Sequence, residues 1–149
     1  MTLPIVSMEW NNLTKVGRRN KIKELEEEIV SLPKEQQFEI PAENIFWDGT
    51  LVRTVHIPKG SIVVGEISAK GAINIITKGK LLVATEDGVK LVEGSQRFIS
   101  KAGIKRAGIV LEDTIWTTVH RVTSKNVDAA VKELTTPNYD KFKVLENKV

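Results

Sequence analysis

After Pro41 the chain becomes a succession of short β-branched runs separated by turn residues, and this pattern limits its fold more than any other feature. The runs are LVRTVHI, SIVVGEI, INIIT, LLVAT, VKLV, RFIS, AGIVL and TIWTTVHRVT. Between them stand Asp48-Gly49, Pro58-Lys59-Gly60, Lys78-Gly79, Asp87-Gly88 and Ala102-Gly103. Many short strands at near-regular spacing predict an antiparallel sandwich or barrel. No helical segment separates them, which argues against parallel βαβ units. Asp87-Gly88, flanked by LLVAT and VKLV, has the residue types of a two-residue hairpin turn, where both central positions take positive φ.

The flanks read differently. From about Arg18 to Leu32 the apolar residues Ile22, Leu25, Ile29 and Leu32 recur at helical spacing, and Pro33 ends the pattern. So short an amphipathic helix needs a partner surface, either the barrel wall or a neighbouring subunit. Residues 1–17 carry no clear pattern; Leu3, Ile5, Val6 and Trp10 are candidate anchors. Beyond Thr123, Ser124 or Asn126 can cap a second helix bearing Val127, Val131 and Leu134, which Pro137 closes. The expected organisation is an N-terminal arm and helix over 1–40, a β-barrel over 41–124, and a C-terminal helix and tail over 125–149.

A chain of 149 residues suits one domain with one hydrophobic core. The absence of cysteine excludes disulfides, thiolate metal sites and cysteine nucleophiles. No apolar run approaches bilayer-spanning length, and MTLPIVSMEWNN lacks the basic and apolar regions of a secretory signal. The net charge of +3 is weakly suited to an anionic partner. Lys15, Arg18, Arg19, Lys21 and Lys23 crowd together, but Glu24, Glu26, Glu27 and Glu28 follow and no aromatic residue interleaves. A solvated face is favoured over a nucleic-acid footprint, which stays a minor option.

The strand order and turns resemble the cupin superfamily, a double-stranded β-helix or jelly roll, most closely over residues 58–120. Gly60 opens the first cupin motif and Gly79 closes it. More narrowly, LPKEQQF, PKGSIVVGEISAKGAINIITKGK, FISKAGIKR and EDTIWTTVH look like cupin-like proteins of tailed phages and prophages. The resemblance implies a mainly β jelly roll with flanking helices. It also places the usual metal-ligand positions on Glu66, Ser68, Ala72 and Arg106. One carboxylate beside a hydroxyl, a methyl and a fixed positive charge does not make a metal site. The expectation is therefore no metal and no cofactor, with Glu66 and Arg106 pairing if they share the lumen.

Other positions also bear on function. His120 can be a base in need of an orienting acid, with Glu112 and Asp113 nearest in sequence, but a hydrogen-bonded histidine at the barrel rim is the more frequent case. His56 reads as a surface strand residue. Trp116 can stack a flat ligand, though a buried core tryptophan is commoner. Asn74 is a core amide or part of a lumen. Lys105-Arg106 can hold an anion at a barrel mouth, with a solvated pair the blander choice.

The resemblance and the lost ligands together lead to the expectation of a non-catalytic phage structural or virion-associated component. It would act through protein–protein contacts, as a homo-oligomer and with other virion proteins, through an arm carrying Trp10, Arg18 and Arg19. Its place would be the virion or the host cytoplasm. The alternatives are a barrel that binds a small anionic ligand through Glu66, Arg106, His120 and Trp116, and a metal-independent enzyme with an altered site.

Overall fold

A computed structural model describes residues 9–37, 40–65 and 67–136. Its elements are α1 (Glu9–Asn12), α2 (Lys15–Ser31), a 3-10 turn (Lys34–Gln36), β1 (Ala42–Trp47), β2 (Thr50–Ile57), β3 (Ile62–Val64), β4 (Ile67–Ser68), β5 (Ala72–Thr85), β6 (Gly88–Glu93), β7 (Gln96–Ser100), β8 (Ala107–Arg121), α3 (Val127–Leu134) and β9 (Thr135–Thr136). Every paired strand is antiparallel. The main sheet runs β1-β2-β8-β5-β6, with β3 also on β8 and β7 also on β5, and β4 pairs with β9.

The two long strands organise the barrel. At one end β8 is flanked by β2 and β5 by β7; at the other end β8 carries β3 and β5 carries β6. The sequence reading divides each long strand in two, INIIT from LLVAT and AGIVL from TIWTTVHRVT. The structure joins them, because Lys78-Gly79 is an irregularity inside β5 and not a turn between strands. Gly79 has φ 125, and a Cβ there would collide with Thr114 of β8. Glycine thus lets the strand bend without ending.

The hairpins also differ from expectation. The pair of positive-φ turn residues is Asp48 (φ 45) and Gly49 (φ 73), which join β1 to β2. Strand β1, AENIFW, lacks the β-branched density that marks the other strands and is missing from the sequence reading. At the β5–β6 turn, Thr85 pairs with Gly88, so the loop is Glu86-Asp87 and Gly88 opens β6. A local bond from the Asp87 amide to Thr85 Oγ1 (3.1 Å) fixes this turn. Contacts from α2 fix Glu86 itself: Arg18 donates to its carbonyl at 2.9 Å, and Arg19 pairs with its carboxylate.

The helices share their cores with the barrel. Thr14 caps α2 by accepting from the Gly17 amide at 3.0 Å, so the helix starts earlier than its apolar stripe. Ile22 and Leu25 bury against Ala84 and Ala107 of the long strands, together with Trp10. Asn126 caps α3 through the Ala129 amide at 2.9 Å, and Ala130 and Leu134 pack with Leu51 and Val122. The N-terminal residues expected to reach a neighbour are engaged within the chain. Trp10 is 1% exposed and donates to Thr85 O at 3.3 Å. Arg18 holds the carbonyls of Trp10 and Asn11. Residues 1–8 and the expected stop at Pro137 with its tail lie outside the described residues. Among the described residues no helix is long and apolar enough to cross a membrane.

Candidate functional site

Strand alternation decides what enters the barrel. On β2 the inward face reads Leu51, Arg53, Val55, Ile57; on β8 it includes Trp116, Thr118 and His120; on β5, Ala72, Asn74 and Ile76. The register sets Arg53, Thr118, Asn74 and Phe98 in one row across four strands. Arg106 joins them from just before β8, with its carbonyl bound to the Gly65 amide at 3.0 Å. One end of the lumen is apolar, with Ile57, Ile76, Leu81, Val83, Val92 and Val110. The other end is polar.

A hydrogen-bonded set holds the tryptophan in place. Trp116 Nε1 donates to Asn74 Oδ1 at 2.9 Å, and Asn74 Nδ2 donates to Ser100 Oγ at 2.9 Å. Phe98 meets the indole edge-on at 5.9 Å, and the Arg106 guanidinium lies over it, 5.5 Å from the ring centroid. Asn74 is thus a satisfied lumen amide, and Trp116 a fixed wall for the cation.

Three recesses share Arg106 in their walls. The polar one, about 470 Å³, also takes in Arg53, Asn74, Ser100, Thr118 and His120, and Val131 and Leu134 of α3 form part of its wall. The second, about 330 Å³, runs from Arg53 and Arg106 along Val55, Ile57, Leu81 and Val83. The third, about 210 Å³, lies towards β6 and β7 and includes Asp87. Among the described residues, no carboxylate lines the first two. Two guanidinium groups therefore face a confined space without a described counter-charge.

The electrostatics follow. Burial lowers the Arg106 pKa, yet a guanidinium stays protonated at any physiological pH. Burial, and then the nearby Arg53 charge, push His120 down to about 4, so its ring is neutral near pH 7. His120 Nε2 and Thr118 Oγ1 are 2.7 Å apart. Among the described residues, two buried side-chain nitrogens lack a partner, Arg53 Nε and His120 Nδ1. Both belong to residues of the polar recess. Leaving such a group unpaired costs about 1–3 kcal/mol, so their convergence on one space calls for a physical reason.

Several expectations change here. His120 stands inside the barrel, 8% exposed, and not at the rim. The Lys105-Arg106 pair is not solvated: Lys105 is 3% exposed with Nζ 2.5 Å from Glu26 Oε2, while Arg106 enters the lumen. His56 is on the surface, 3.8 Å from Glu43. Ser68 and Ala72 line the polar recess, and Ser68 Oγ donates to the Lys70 carbonyl. Glu66 lies outside the described residues, and with it the expected pairing to Arg106. Arg53, Ser100 and Thr118 are site residues that the sequence reading missed. The signal for Arg53 was present, as a charge on the inward alternation of LVRTVHI.

The described donor set does not fit a divalent metal. Among the described residues no group of three or more His, Cys, Asp or Glu comes together. Two guanidinium groups at the same place would repel a cation.

Comparison of the fold agrees with this topology. A structure of KdgF from a Halomonas species superposes with a TM-score of 0.50 at 12% identity, covering 66% of this chain and 94% of that one. A cupin-2 domain protein from Shewanella frigidimarina gives 0.47 at 10% identity, covering 65% and 91%. A cupin superfamily protein from Desulfitobacterium hafniense gives 0.49 at 10% identity, covering 58% and 80%. The fold is a mainly β, antiparallel jelly roll. At these identities the cupin likeness describes architecture alone. No protein-family model and no curated protein matches the sequence.

Proposed function

We propose that this cupin-type barrel binds a small organic anion in its lumen, with Arg53 and Arg106 as the charged grip. The observation that carries the reading is the uncompensated pair of guanidinium groups in a recess that also contains unpartnered Arg53 Nε and His120 Nδ1. A carboxylate or phosphate group would supply the missing acceptors, and guanidinium forks suit both. The apolar recess alongside would take the remainder of the molecule, against Val55, Ile57 and Leu81. Neutral His120 would donate through Nδ1 when Nε2 accepts from Thr118. An acid–base enzyme is less well supported: no described carboxylate lines the polar recess to serve as partner to His120.

Calorimetric titration with a panel of small mono- and dicarboxylates and phosphate esters tests this. Binding by at least one of them, lost in Arg53→Gln and Arg106→Gln, is the expected result. NMR of the His120 ring adds a second readout: its pKa, about 4 in the free barrel, should rise when an anion occupies the recess. Absence of binding across the panel, with no small molecule carried through purification, would overturn the reading.

A virion-associated role through protein–protein contacts is the second reading. It is favoured by exposed apolar side chains on the outside of the sheet, Ile45 (67%), Trp47 (78%) and Ile99 (79%). Mass spectrometry of purified phage particles tests it, and absence of the chain from them would end it.

A further inference from the structure

The two larger recesses of the lumen share Arg53, Arg106 and Thr118, and differ in what else they offer. The polar one contains the residues whose buried nitrogens lack a partner, Arg53 and His120. In the apolar one, the polar side chains of the described wall are the two arginines, Trp116 and Thr118. The last two are engaged: the indole N–H bonds Asn74, and the Thr118 hydroxyl lies 2.7 Å from His120 Nε2. Beyond the guanidinium groups this wall has no unspent polar side chain among the described residues. It is built from Val55, Ile57, Val63, Leu81 and Val83.

Its length and width follow from the strands. Arg53, Val55 and Ile57 face inward in turn along β2, so the wall runs about 13 Å from Arg53 at ordinary strand rise. On β8, Gly108 pairs with Val63 on one side and Val83 on the other. A Cβ there would stand 3.3 Å from Val63 Cγ2 and 3.8 Å from Leu81 Cδ1, so the glycine leaves room beside them. Exposed Gly65 and half-buried Ile40 border the recess and give it a way in from solvent.

This wall discriminates among anions. A sugar acid or a nucleotide carries polar groups along its length, and burying them here without partners costs binding. A hydrocarbon chain has nothing to satisfy and gains by leaving water. We propose, resting on the anion-binding reading above, that the lumen takes an aliphatic acid. Its anionic head sits on Arg53 and Arg106, and its unsubstituted chain lies along Val55, Ile57 and Leu81.

Calorimetric titration of the full chain with two chain-length series tests this: alkanoates from acetate to octanoate, and alkyl phosphates from methyl to octyl. With at least one head group, affinity should rise about fourfold per added methylene until the recess is filled. Hexanoate should bind at least tenfold more tightly than gluconate, which has the same carbon count and carboxylate but a hydroxyl on every other carbon. Val63→Phe places a ring in the space beside Gly108 and should move the preference to a shorter chain. Val55→Phe serves the same purpose where circular dichroism shows Val63→Phe unfolded. An unchanged preference in the folded variant overturns the proposal. Flat affinity along both series, or gluconate binding as tightly as hexanoate, overturns the aliphatic class while Arg53-dependent binding of short anions keeps the anion reading. No binding by any of these acids overturns both. Octanoate binding undiminished in Arg53→Gln places the chain outside the lumen and overturns the proposal.

Discussion

One inner row and one outer row of the β1-β2-β8-β5-β7 region are the reverse of what folding alone asks for. A half-buried antiparallel sheet places apolar residues inside and polar ones outside. Here the inner row holds Arg53, Thr118, Asn74 and Phe98, and the outer row holds Ile45, Val52, Val119, Ile73 and Ile99. The other end of the same barrel obeys the rule, with Ile76, Leu81, Val83 and Val110 packed inside. One end thus supplies stability and lets the other depart from the pattern. The inner departure lies where a bound anion would supply the missing partners.

Variants that distinguish the two ends test this contrast. The largest effect belongs to the apolar end: Leu81→Ala, at 1% exposure, should cost about 2–5 kcal/mol in urea unfolding. A cost under 1 kcal/mol would mean that the stabilising core lies elsewhere.

Next comes the clasp that holds α3 beside the polar recess. Glu133 accepts from Lys70 Nζ (2.9 Å), from the amides of Thr123 and Ser124, and from both of their hydroxyls. Burial alone would raise its pKa, but the bonds from Lys70, Thr123 and Ser124 hold it well below the usual carboxylate range. Its contribution is therefore present above the ordinary glutamate pKa and lost as pH falls through the lower folded value. Glu133→Gln should cost about 2 kcal/mol at pH 7, with the difference shrinking in acid. A difference that grows on acidification would contradict the clasp.

The polar end should respond with the opposite sign. Replacing a confined charge, Arg106→Met, should raise the stability of the free protein by about 1 kcal/mol while abolishing anion binding. Thermal melts with and without ligand measure both. Destabilisation together with retained binding would place the charge in a structural role.

His120 gives a slope rather than a step. Its pKa is near 6.5 unfolded and about 4 folded. The unfolded chain binds the extra proton between those values, so this residue makes stability rise with pH across that window. His120→Gln should remove that part of the slope in urea titrations at several pH values. The smallest effect on stability is expected outside: Ile99→Arg, at a 79% exposed position, should stay within about 0.5 kcal/mol.

Much of the frame was legible in the residues. Pro33 after the Ile22–Leu25–Ile29 stripe marked the end of α2, and the Asn126 cap with Val127, Val131 and Leu134 marked α3, because these signals act within a few residues of chain. The β-branched runs marked the barrel for the same reason. Strand β1 escaped because AENIFW gains its strand character from pairing with β2. The unity of β5 escaped because Gly79 looks like a turn until Thr114 lies against it. At the site, Arg106, Trp116, Asn74 and His120 were marked individually, and Arg53 was not.

The sequence by itself determined a series of short strands between two helices. Local propensity and side-chain chemistry are enough for that. Only the tertiary structure decided that Arg53 and Arg106 share one lumen, and that five branched side chains align across the outside. Both depend on strand register between residues far apart in the chain, and a one-residue slip would send every side chain to the other face.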